Sequence, residues 1–505
     1  MNKSIIVTAA LAVSVAACSG GSGTGPTTPT AKDQHGNTVT DSQGNAVTTA
    51  AANKFQTALD TMAQHDKAGD WNDASCTSTA QLFVEAAKEQ GDKTFSEALY
   101  NAGLANQRCK KDDAAKGYFK QVLDKDPKFH RARAALALYA FGASGEKDFD
   151  SAIKELRQAA IVDAQFKNVE ALVSLGMIYI KRNNTTADDD GPNDLARAKK
   201  YIQSALAVDD GYMPAFNQLA ILYLEAAKQK AGRDTKAKMA TTAAKQKKVD
   251  TQALELAALV CSQAVRKNAK YAPVHNTAGM IQVELGNLNS AVSEFNTARQ
   301  LDPTFYEAQM NFAAVNLQFR GFAQAEEAYR AALKMRPNDY DAHLGLALAL
   351  RGGIDDTNFD KMVKEAAAEL DAAKKLAPER PDAYYNDAIL TQEYKSKSGG
   401  GNPEPELLNA KGLFSQFIQK AGSAPEYADA VKRSKDRMSE IDQIIDFNHK
   451  SADQRKAAEA EAKQRQAEAD AKEASEGEGD KDKDKDKKED KPEEKKDEKK
   501  DEKQP

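Results

Sequence analysis

The chain has 505 residues, with 71 Lys and Arg against 76 Asp and Glu. The formal net charge of −5 excludes a strongly basic nucleic-acid binder. Hydrophobic residues make up 41% and aromatics 7%, and mean hydropathy is −0.66, so most of the chain cannot lie in lipid. This length accommodates about three globular domains or one long repeat array.

The N-terminus reads as an address. Lys3 supplies a positive start, residues 5–14 are an apolar core, and small residues lead to Val15-Ala16-Ala17-Cys18. The apolar run over 5–17 is too short to span a bilayer, which takes a helix of about 20 residues. The layout is that of a secretory signal peptide over 1–17. A Cys directly after small residues resembles the bacterial lipobox. That resemblance implies cleavage before Cys18 and its acylation. With Ser19 following, it implies attachment to the outer membrane facing the periplasm.

Residues 18–50 open with Gly, Ser, Thr and Pro and read as a flexible linker. Within them Gln34-His35-Gly36-Asn37-Thr38-Val39-Thr40 is echoed by Ser42-Gln43-Gly44-Asn45-Ala46-Val47-Thr48. Two Gly-Asn turns flanked by Thr and Val fit a small hairpin. An isolated hairpin is marginal in water, which favours a linker without fixed structure.

Residues 51–424 are periodic. Pro303 and Pro337 lie 34 residues apart, and the same pattern precedes each: Ala291, Phe295 and Ala298, then Ala325, Tyr329 and Ala332. Further back stand Gly279 and Ala313. Pro127 frames Gly103, Ala115, Phe119 and Val122, and Pro378 frames Ala366, Leu370 and Ala373. Ala152-Leu156-Ala159, Ala198-Ile202-Ala205 and Ala257-Cys261-Ala264 keep the pattern without the Pro. Small, large and small at offsets of four and three share one helical face.

This pattern resembles the tetratricopeptide repeat (TPR), a 34-residue helix–turn–helix. The resemblance implies an all-α, TPR-type helical-hairpin solenoid of about 8–9 degenerate repeats. Insertions interrupt it near 183–194, 228–250, 352–361 and 396–405. The second carries eight Lys or Arg against two Asp and reads as an extension of both flanking helices. Residues 425–450, with Val431, Met438, Ile441, Ile444, Ile445 and Phe447, fit a capping helix. Residues 451–505 form a charged low-complexity tail. Its last part, 476–505, has 14 acidic residues, 11 Lys and no aliphatic or aromatic side chain. It reads as a solvated spacer, or as a polyelectrolyte that contacts cell-wall polymer or a charged partner.

In the TPR family the first helix of each repeat lines the inner face. The residues so placed here are Tyr100, Leu104, Val173, Met177, Ile180, Ile221, Leu224, Met280, Met310, Leu317, Leu344 and Leu348. They either pack neighbouring first helices together or line a groove for an extended peptide or amphipathic helix.

Nothing points to catalysis. His35, His65, His130, His275, His343 and His449 show no metal-ligand spacing, and no phosphate loop or G-x-S-x-G occurs. Asp188-Asp189-Asp190-Gly191 lacks the alternation and the distal Glu of a calcium loop. No cofactor or metal is expected. Cys261 takes the large-residue slot of its repeat and reads as a buried thiol. Cys76 and Cys109 both fall near turns of successive repeats; an exported protein allows a disulfide between them, and two free thiols are the alternative.

The expected function is a lipid-anchored scaffold of a bacterial envelope machine. Lipobox, linker, degenerate repeats and Lys/Asp/Glu tail together resemble TPR lipoproteins such as that of the myxobacterial adventurous gliding-motility apparatus. The other expectation is a pilotin-like or assembly-chaperone lipoprotein for outer-membrane secretion or pilus components.

Overall fold

The computed structural model describes residues 29–161, 167–237 and 251–477. The signal peptide, Cys18, the centre of the basic insertion and the end of the tail lie outside them. The chain divides into two compact units, residues 1–337 and 338–505.

Among the described residues the first unit contains seven helical hairpins. They are α1 (Thr49–Ala68) with α2 (Asp73–Glu89), α3 (Ser96–Arg108) with α4 (Asp112–Lys125), and α5 (His130–Ala143) with α6 (Phe149–Ala160). Next come α7 (Val169–Arg182) with α8 (Asp194–Val208), and α9 (Met213–Ala237) with α10 (Thr251–Lys267). The last two are α11 (Ala272–Glu284) with α12 (Leu288–Leu301), and α13 (Tyr306–Gln318) with α14 (Phe322–Met335). The second unit holds α15 (Tyr340–Gly352) with α16 (Phe359–Leu376), α17 (Asp382–Glu393) with α18 (Glu404–Ala421), and α19 (Ala428–Gly477). Within each unit every second helix packs on its own first helix and on the next one. This is an all-α, TPR-type helical-hairpin array.

The small–large–small pattern is the packing code of the second helices. Ala115, Ala198, Ala291 and Ala325 are buried, as are Phe119, Ile202, Phe295 and Tyr329 one turn later. The large residue turns back onto its own first helix. A Cβ placed on Gly279 would stand 2.5 Å from the Phe295 ring, and one on Gly176 would stand 2.5 Å from Ile202. Glycine at that position lets the hairpin close.

The flexible linker expected over 18–50 does not extend through that whole range. Ala31, Val39 and Val47 hydrogen-bond in a ring: Ala31 N–H to Val47 O (2.8 Å), Val39 N–H to Ala31 O (3.0 Å) and Val47 N–H to Val39 O (2.9 Å). The eight-residue echo forms two matching turns, with the Asp33 and Asp41 carboxylates each accepting two backbone N–H groups of their own turn. Gly44 sits at φ +81°, where only glycine is unstrained. The ring is not isolated, which is why it is ordered. Val47 is buried with Ala51 and Phe55, Ser42 N–H donates to Glu97 (2.6 Å), and Gln90 Nε2 donates to Ala46 O (2.9 Å).

The insertions behave differently from one another. Around 183–194 the chain forms a charged turn. At the basic insertion α9 itself runs on to Ala237, about twice the length of α11 or α13. The stretch after Arg351 is a short loop, and 395–400 is a 3-10 turn. The capping helix does not stop at 450: α19 is continuous over 50 residues. Ile441 is buried against α18, whereas Phe447 is 70% exposed.

Candidate protein-interaction surface

In the first unit the first helices lie side by side, α5 on α7, α7 on α9, α9 on α11 and α11 on α13. The residues expected to line them separate into two groups. Tyr100, Leu104, Val173 and Leu224 are buried. Tyr100 is 3% exposed, its ring lying 5.3 Å from both Phe119 and Phe129. These four belong to the core. Met177, Ile180, Ile221, Met280, Met310 and Leu317 are half-buried and keep part of their surface open. Leu344 and Leu348 are also half-buried, on α15 of the second unit.

The composition of the face is more polar than those residues imply. Thr277 Oγ1 donates to Asn217 Oδ1 (2.7 Å), joining α11 to α9, and Asn311 Nδ2 donates to Asn276 Oδ1 (2.8 Å), joining α13 to α11. Asn276 Nδ2 also reaches the Met280 sulfur at 3.8 Å. Buried amides pair because an unpaired one costs about 1–3 kcal/mol. The face is therefore a hydrogen-bonded seam beside a row of half-open Met, Ile and Leu. Hydrophobic periodicity carries no sign of such a seam. The recurrence of Asn and Thr one repeat apart was the available signal.

Asp188 and Asp190 are engaged in ion pairs. Asp190 accepts from Arg157 and Lys200 (2.6 Å each) and from Tyr201 (2.9 Å). Partial burial opposes its ionisation, but those hydrogen bonds and the Arg157 charge outweigh it and hold the carboxyl at about 2. Arg197, 1% exposed, joins Asp188, Asp194 and two carbonyls. The insertion is a charged clasp over the Tyr179–Tyr201 stack. Among the described residues no three His, Cys, Asp or Glu converge as metal ligands.

His275 and His343 occupy equivalent first-helix positions and each pairs with a second-helix carboxylate, Glu294 at 2.8 Å and Glu369 at 2.5 Å. Cys76 and Cys109 form a disulfide joining the start of α2 to the end of α3, with Cα atoms 6.2 Å apart. Beside it Arg108 pairs with Asp66, which also accepts from Trp71 Nε1 (2.8 Å). Cys261 is buried and its thiol is pushed up to about 12 by that burial.

No family model and no curated protein matches the chain. Solved structures of similar fold include a thermophilic TPR protein of Thermus thermophilus, with 22% identity and TM-score 0.35 over 44% of this chain and 99% of that one. PilF of Pseudomonas aeruginosa has 17% identity and TM-score 0.37 over 52% and 97% of the two chains. A TPR protein from Parabacteroides merdae has 14% identity and TM-score 0.35 over 61% and 99%. At these identities the likeness is one of fold.

Proposed function

We propose that the protein is a lipid-anchored adaptor of the bacterial envelope that holds partner segments on the first-helix face of its repeats. The observation that carries the reading is the row of half-buried Met177, Ile180, Ile221, Met280, Met310 and Leu317 on adjoining helices. Half-open apolar side chains along a repeat face suit protein partners. Methionine suits partners of varied shape, because its side chain adapts. The lipobox at Cys18 supports membrane anchoring through an N-terminal lipid. The Lys/Asp/Glu tail supports a multiprotein setting, and gliding motility is the machine whose TPR lipoprotein shares this arrangement of parts.

The test is affinity capture of the tethered protein after mild cross-linking. Replacing Met280→Glu and Met310→Glu together should abolish capture while the far-UV helical signal persists. Retained capture with retained fold would remove the face from consideration. Mass spectrometry of the N-terminal peptide should find lipid on Cys18; an unmodified Cys18 would overturn the anchoring.

A further inference from the structure

At the N-terminal ends of α5, α7, α9 and α11 the first unit carries polar heads that find no side-chain partner among the described residues. Arg131 and Glu170 are the second residues of α5 and α7, so they take equivalent places on helices that pack together. Tyr212 immediately precedes α9, and Tyr271 immediately precedes α11. All four are half-buried. The two tyrosines pack against apolar clusters formed mainly by the preceding repeats. Yet among the described residues none of the four heads makes a side-chain hydrogen bond or ion pair.

The contrast with the rest of the unit is informative. Arg108, Arg182 and Arg197 all close pairs with carboxylates at 2.6–2.9 Å. Arg131 and Glu170 feel each other's charge but stay open. Burial raises the Glu170 carboxyl, and the Arg131 charge only opposes this. A carboxyl that has lost water without gaining a hydrogen bond is a cost to the fold. Such costs concentrate where a ligand supplies the missing partner.

We propose that this strip sets partner specificity: it takes an extended peptide that presents a carboxylate to Arg131 and a cationic side chain to Glu170, with backbone groups on the Tyr212 and Tyr271 hydroxyls. The proposal rests on the reading that first helices receive partner segments, and it names the chemistry recognised there. An extended chain fits because the heads follow one another across successive helices, one per repeat. Neighbouring helices lie about 8–10 Å apart. Side chains i and i+2 of an extended chain project to the same side about 7 Å apart. The long Arg131 and Glu170 side chains span the remainder, so the recognised element is acid–spacer–base. Charge-assisted hydrogen bonds in a half-buried place are the stronger kind.

The test uses the full chain and labelled nine-residue peptides on a Val/Thr background, read by fluorescence anisotropy. The wild type should bind a Glu-x-Lys peptide roughly tenfold more tightly than Gln-x-Gln. Arg131→Glu should move the preference to Lys-x-Lys, and Glu170→Arg should move it to Glu-x-Glu, because each variant makes the strip one sign. A structural role alone would not switch the ranking. If a reversed charge prevents folding, Arg131→Gln and Glu170→Gln serve instead, and each should abolish the preference. A wild type indifferent to peptide charge, or variants that keep its ranking, would overturn the proposal. Peptide indifference together with Met280/Met310-sensitive capture brings down the strip and leaves the adaptor standing. Peptide indifference with capture that ignores those methionines brings down both.

Discussion

Gly279 shows how one residue sets the distance between two helices. Its missing Cβ is the space into which the Phe295 ring fits, with three ring atoms within 2.9 Å of where a methyl would stand. Gly279→Ala should destabilise the first unit by about 1–3 kcal/mol through overpacking. The urea midpoint should fall while the far-UV signal in buffer stays unchanged. Phe295→Leu in the same chain should recover part of the loss, since the two residues share one space. Asp190 makes a pH prediction. Its carboxyl lies at about 2 in the fold against an ordinary 3.8, so its contribution is complete above pH 4 and is lost as pH falls toward 2. The side chain is 13% exposed, and the contribution is of order 1–2 kcal/mol. Asp190→Asn should flatten stability against pH in that window. An unchanged profile would mean that Arg157 and Lys200 find other partners.

At the scale of elements, α19 is two things in one helix. Its first third covers the open face of α18 through Ile441. Over 452–472 every residue is exposed, and the helix is supported by pairs such as Arg465–Glu461. At about 1.5 Å per residue the whole helix is roughly 75 Å long. Ending the chain after Lys450 should leave the melting temperature nearly unchanged, because none of the described residues beyond it is buried. Ile441→Ala should cost about 2–4 kcal/mol, the cavity left in a buried site. A large drop on truncation would reveal that the outer part of α19 docks on something. The lack of any aromatic residue, or aliphatic one larger than Ala, after Phe447 marks this division in the sequence.

For the molecule as a whole, the N-terminal end is fastened twice. The ring of Ala31, Val39 and Val47 ties itself to α2, α3 and α4 through Gln90, Glu97 and Asp126. The disulfide joins α2 to α3 through residues 33 apart in the chain. Repeats contact only their neighbours, so loosening one end does not unfold the rest at once. Reduction should therefore lower the stability of the first two hairpins by about 3–4 kcal/mol in the chain-entropy account. Trp71, the single tryptophan, sits beside Cys109 through Asp66 and Arg108. Its fluorescence should change at lower urea than the far-UV signal once the disulfide is reduced. Coincident transitions in both redox states would show that the fastening adds nothing.

Local spacing by itself determined the helical hairpins, their 34-residue register and the buried face of the second helices, because a helix repeats every 3.6 residues and offsets of three and four must share a side. Ala291-Phe295-Ala298 could have been read in no other way. The first helices were only half legible. Tyr100 and Met280 follow the same periodic rule, yet one is core and the other half-open. What separates them is what covers the side chain: Phe119 of the paired second helix and Phe129 of the turn into the next repeat close over the Tyr100 ring, and those residues lie 19 and 29 positions away. The same holds for residues 29–48, which could not order alone and do so against Gln90 and Glu97. Arg131 and Glu170 are 39 residues apart, and the extra chain before α7 hid their equivalence. That they stand together without pairing was decided by the packing of α5 on α7, since whether a charge meets a partner is a fact of space and not of order along the chain.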